Sequence, residues 1–210
     1  MQVLKIADLS FPVESANLVG GLADPYWCDT YNEGKDKELS WYLEVSASEL
    51  EVRDDYWSPT LTVDSFQFPM RDWRQLEGQE YAWDRRQDEL TGRSFGTFYV
   101  FEHADIGKGR LRFTKRENTQ FLVSWSGLCD INFDDTYGTD VEFSLSAMPT
   151  FSGIIVSGCE HDSLETLRGR LDEHLNVDDF DQGDLEVSQY PYESGVGMVS
   201  CRFTPSNSQD

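Results

Sequence analysis

The segment Val141-Glu142-Phe143-Ser144-Leu145-Ser146-Ala147 puts an apolar side chain at every second position and a polar one between. Successive side chains of an extended chain point to opposite faces, so this pattern buries one face of a strand and wets the other. The same period runs through Arg110-Leu111-Arg112-Phe113-Thr114, through Phe121, Val123 and Trp125, and through the odd positions of Leu39 to Val45. Leu61-Thr62-Val63 follows Pro59, and Ile154, Ile155 and Val156 are adjacent β-branched residues. Shorter strand signals lie at 3–7, 97–101, 185–187 and 199–203. Gly107-Lys108-Gly109, Asn118 and Asp134 to Gly138 read as turns.

One segment has the other period. Leu164, Leu167, Leu171 and Leu175 are spaced three, four and four apart, which keeps them on one helix face. Asp162 with Glu165 resembles a capping box, and His174 suits the negative end of the helix dipole. Gly169 inside it costs about 1 kcal/mol against alanine. The expected fold is α+β and β-dominated, with antiparallel sheets of roughly eight to eleven strands and one clear α-helix near 162–175. Arg71 to Gln79 and Tyr81 to Leu90 read equally as short helix or charged hairpin. With no internal repeat and no Pro/Ser linker, residues 1–204 are expected to form a single domain, with 205–210 as a frayed tail.

A chain of 210 residues is long enough to build a core without staples, and 13 Phe, 9 Tyr and 6 Trp argue against disorder. Cys28, Cys129, Cys159 and Cys201 are scattered, with no Cys-x-x-Cys pair, and are read as thiols in a reducing compartment. Asp8 and Ser10 interrupt the apolar stretch that a signal peptide needs, so the chain is read as cytoplasmic, the alternative being a leader already removed.

Thirty-nine Asp and Glu against 17 Lys and Arg give a formal charge of −22. Such a surface repels nucleic acid and anionic membranes, so neither is an expected partner; it attracts a basic protein or a cation. Tyr26, Trp27, Tyr56, Trp57, Trp73, Tyr81 and Trp83 fall outside the most regular segments. Aromatics there serve as interface anchors or cover the edges of the core; Trp27, Tyr56, Trp57, Trp73 and Trp83 are the binding candidates.

Chemistry-bearing motifs are sparse. There is no Gly-x-Ser-x-Gly, no Walker-type loop, and Gly195-Val196-Gly197 holds only two glycines of a dinucleotide fingerprint. Cys159, His161 and His174 lack the fourth ligand of a structural zinc site. Asp130, Asn132 and Asp134, with Asp135 and Asp140, have the alternating oxygens that open a calcium loop. However, Asp135 stands where such a loop needs glycine, and Glu142 comes one place late for the closing carboxylate. Glu102 beside Phe98 to Phe101, and Glu142 on the polar face of its strand, are the candidates for a glycosidase-like carboxylate pair.

The reading is a soluble, acidic, non-catalytic protein that binds a protein partner of basic character. By analogy of composition, it resembles the small acidic proteins that neutralise basic toxins. The alternative is a carbohydrate-active or carbohydrate-binding β-sandwich. No cofactor is expected.

Overall fold

The computed structural model describes residues 2–23, 38–87, 94–189 and 197–206. The alternating segments are strands. Fourteen are described: β1 (Val3–Ile6), β2 (Leu9–Leu22), β3 (Ser40–Ala47), β4 (Leu50–Val52), β5 (Asp55–Trp57), β6 (Thr60–Phe66), β7 (Glu80–Trp83), β8 (Thr97–Tyr99), β9 (His103–Glu117), β10 (Gln120–Ile131), β11 (Gly138–Ala147), β12 (Thr150–Cys159), β13 (Phe180–Gln189) and β14 (Gly197–Pro205). Twelve form one sheet in the order β13-β14-β12-β10-β11-β1-β2-β3-β6-β8-β9-β7, and β4 pairs with β5 alone. One α-helix is described, α1 (Leu164–Asp172). The fold is therefore β-dominated α+β with a large antiparallel sheet. Strands β4, β5 and β7 have only three or four residues, too few for alternation to register in the sequence, while the signal at 97–101 is the three-residue strand β8. The undecided stretch after residue 70 holds a 3-10 turn, Trp73–Leu76, and then β7.

Contacts divide the chain into two compact units. The first comprises Met1–Leu18, Tyr42–Phe66 and Leu76–Phe151. Its strands follow one another around a ring: β1, β2, β3, β6, β8, β9, β10, β11, with β11 pairing back to β1 and β9 bonded to β10. Closing a sheet on itself removes the two end strands that an open sheet would expose. Its core includes Leu4, Ile6, Phe11, Leu111, Phe113, Phe121, Val123 and Trp125, each at most 1% exposed. Asn118 turns β9 into β10 with φ 55°, a left-handed conformation that asparagine tolerates.

Gly107-Lys108-Gly109 is not a turn; it lies inside β9. The glycines serve close packing instead. Gly109 faces Gly127 across the β9–β10 pair. A Cβ on Gly109 would come within 2.2 Å of the Trp83 ring, and one on Gly127 within 2.1 Å of the Lys108 carbonyl oxygen. Trp83 fills the space left by Gly109, and its indole N–H donates to the Ile106 carbonyl at 2.8 Å.

The second unit comprises Val19–Trp41, Gln67–Gln75 and Ser152–Asp210. In it β12 pairs with β14, from Ile154 opposite Phe203 to Cys159 opposite Met198, and β14 pairs with β13 out to Pro205 opposite Phe180. Ser163, not Asp162, caps the helix: its hydroxyl accepts the Thr166 N–H at 3.2 Å. Asp162 instead accepts the Cys159 N–H at 2.8 Å. At the other end Arg71 donates to the Glu173 carbonyl at 2.6 Å. Leu167, Leu171 and Leu175 are buried, while Leu164, the first helical residue, is half-buried.

Gly169 sits in the interior of α1, and a Cβ there would meet nothing within 4 Å. Gly169→Ala is therefore expected to stabilise the protein by about 0.5–1 kcal/mol, through helix propensity and a less flexible unfolded chain. A urea titration that shows a loss instead would mean that this face of the helix is covered.

Candidate functional site

The β4–β5 hairpin of the first unit pairs Leu50 with Trp57, Glu51 with Tyr56 and Val52 with Asp55. Cross-strand partners share a face. Val52 and Trp57 are buried, whereas Tyr56, on the opposite face beside Glu51, is 59% exposed. Trp57 packs edge-on against Phe133 at 5.1 Å and Tyr137 at 5.7 Å. Phe133 also receives Phe101 at 5.1 Å. Arg53 turns the hairpin with φ 59° and reaches across to both Asp134 oxygens, at 2.8 and 2.9 Å, and to the Thr136 hydroxyl at 2.6 Å.

These contacts pin three connections of one unit together. What they leave outside is aromatic and acidic: Tyr56, Phe101 at 49% exposure, and Tyr99 at 40% against the His103 ring. Exposed carboxylates Glu51, Asp54, Asp55 and Glu102 are their sequence neighbours.

The oxygen-rich loop is occupied by arginines. Asp130, 9% exposed, accepts from the two terminal nitrogens of Arg86 and from the Asp140 backbone N–H at 3.1 Å. Arg86 also lies 3.4 Å from an Asp140 oxygen. The Thr136 backbone N–H and the Arg53 guanidinium hold the Asp134 carboxyl below the usual carboxylate range. Asn132 and Asp135 are exposed. Among the described residues no three His, Cys, Asp or Glu form a group suited to a metal ion. Because guanidinium groups already neutralise Asp130, Asp134 and Asp140, millimolar calcium is expected to raise the melting temperature no more than the same concentration of magnesium. A shift several degrees larger in calcium, abolished by Asp130→Ala, would contradict this.

Outside the ring, β7, β9, β10 and β11 form an open groove of about 840 Å³. Its lining includes Asp84, Lys108, Arg110, Ser126, Glu142 and Ser144, with Trp83 and Phe143 behind the glycine pair. Strand register sets the pattern. Lys108, Leu128 and Glu142 lie in one row across β9, β10 and β11, and Arg110, Ser126 and Ser144 in the next. Inside the wall, desolvation pushes the Cys129 thiol up to about 12, so it stays protonated and donates to the Val141 carbonyl at 3.6 Å.

The binding candidates thus separate. Tyr56 is on the surface; Trp57, Trp73 and Trp83 are 2, 3 and 7% exposed and sit in the cores of their units; Trp27 lies outside the described residues. Glu142 is in mid-strand on the groove, while Glu102 lies in the bend between β8 and β9, outside the groove lining. Phe101, Phe133, Lys108, Arg110, Ser126 and Ser144 were not apparent as site residues in the sequence. The one signal available was the crowding of Lys108, Arg110, Arg112, Lys115 and Arg116 into a single strand of an acidic chain.

No described helix is long and apolar enough to cross a membrane. The chain matches no protein-family model, no curated protein and no solved structure.

Proposed function

We propose that this is a non-catalytic, cytoplasmic protein that binds a basic protein partner through the aromatic end of its first unit. The observation that carries the reading is the exposure of Tyr56, Tyr99 and Phe101 among carboxylates, on connections fixed by Trp57, Phe133 and Arg53. Rigid aromatics bury large area at little entropic cost, which is what interface anchors do. The surrounding acids steer a basic partner and select against an acidic one. Capture from native lysate is the test. A basic protein should be retained and should elute as salt rises; recovery of no partner would contradict the reading.

A second reading is favoured by the groove. Asp84, Glu142, Ser126 and Ser144 line a concavity of a size typical of ligand sites, so a saccharide is a suitable occupant. A chromogenic glycoside panel and a glycan array test it.

A further inference from the structure

One patch on the outward face of the first unit is richer in cations than the acidic chain as a whole. Arg110, Ser126, Ser144 and Lys5 form one continuous row across β9, β10, β11 and β1. Arg112, Ser124 and Ser146 form the neighbouring row, and Lys108 begins the one on the other side. Four of the 17 cations, Lys5, Lys108, Arg110 and Arg112, therefore border a floor of four serines. Acids outnumber bases 39 to 17 in the chain, yet these rows carry Glu142 alone, with Glu80 beside them on β7 and Asp84 following it in the groove lining.

Glu80 is already taken by Arg112, which donates to it from Nε at 2.8 Å and from a terminal nitrogen. Arg110 touches the same carboxylate at 3.4 Å and stays 62% exposed. Lys5 and Lys108 are exposed and have no ion-pair partner among the described residues. The groove exists because serines are short and the cations beside them are long. Adjacent strands are about 4.8 Å apart, so Arg110 and Lys5 stand roughly 14 Å apart along the row, the reach of a short oligosaccharide.

We infer that this groove binds an acidic saccharide, a short chain of sugar rings bearing carboxylate or sulfate groups. The inference rests on the saccharide reading and sharpens it. Serine hydroxyls both donate and accept, which suits ring hydroxyls. A guanidinium presents paired donors to a carboxylate or sulfate, and Lys108 and Lys5 add point charges. Among the described residues the groove has no exposed aromatic face, since Trp83 and Phe143 are 7 and 4% exposed. Single-stranded nucleic acid is held by base stacking on such faces, so its absence argues against that ligand. It leaves the anionic group as the anchor.

The experiment is calorimetry at physiological ionic strength on the full chain. The probes are trigalacturonate, a sulfated trisaccharide, neutral maltotriose and a single-stranded oligonucleotide. At least one acidic trisaccharide should bind, at least tenfold more tightly than maltotriose, and that arm identifies the anion. Lys108→Gln with Arg110→Gln should weaken it at least tenfold. Ser126→Leu, at an exposed strand position, should abolish it by filling the floor while the melting temperature holds. Equal binding of neutral and acidic sugars would overturn the inference and keep the saccharide reading. Binding of no sugar would overturn both. An oligonucleotide bound as tightly, or variants that bind like the parent, would also overturn the inference.

Discussion

Phe143→Ala is expected to cost about 3–5 kcal/mol of stability. Phe143 is 4% exposed and packs edge-on against Trp125 at 5.7 Å. Its ring lies over Gly127, where a Cβ would come within 2.9 Å of it. Gly127 has no side chain to refill the space, and the Lys108 carbonyl blocks the backbone from moving in. The cavity therefore persists, and the cost belongs at the upper end of core truncations. Urea denaturation measures it. Ser144→Ala, one residue on and facing outward, is the control and should change stability by no more than about 0.5 kcal/mol. A loss below about 1 kcal/mol for Phe143→Ala would mean that the register of β11 is misassigned.

Gly153→Ala should cost about 2–6 kcal/mol, the sum of backbone strain and overpacking at about 1–3 kcal/mol each. Gly153 has φ 110°, a conformation that residues with a Cβ rarely adopt. A Cβ there would also lie 2.3 Å from the Phe203 carbonyl oxygen and 3.0 Å from its carbon. Both obstacles are backbone, so no side-chain rotation relieves them, and β12 and β14 would have to part. Faster amide exchange in β14 should accompany the loss. The same substitution at Gly169, in the same unit, has the opposite sign because nothing stands beside it. A neutral Gly153→Ala would mean that β12 does not approach β14 as described.

How much of this was legible in the sequence depends on what produces each feature. Phe113, Phe121, Val123, Trp125, Phe143 and Leu145 were read as buried and are, because alternation and burial share one cause. The helix was legible from its leucines. Its bounds were less so, because Ser163 and Arg71 set them, and Arg71 is remote in sequence. The strand at Gly107-Lys108-Gly109 was hidden: glycine means a turn when only local propensity is considered, and close packing of Trp83 when the partner strand is known. The aromatics were legible as a class but not individually. Tyr56 and Trp57 are adjacent and differ only in which face of the hairpin they occupy. The groove was illegible, since its serines and cations meet only through the register of four strands, while the net charge pointed the other way.

The measurement that bears most directly on the central claim is the affinity of the captured basic partner for the parent protein and for the Tyr56→Ala, Phe101→Ala double variant. Both side chains are about half exposed, so their removal should lower the melting temperature by a few degrees at most, the Phe101 share coming from its edge contact with Phe133, and leave the protein folded. Anchors of this kind are worth more than about 1 kcal/mol each, so the dissociation constant should rise at least tenfold. A double variant that folds normally and binds the partner as tightly as the parent would contradict the account.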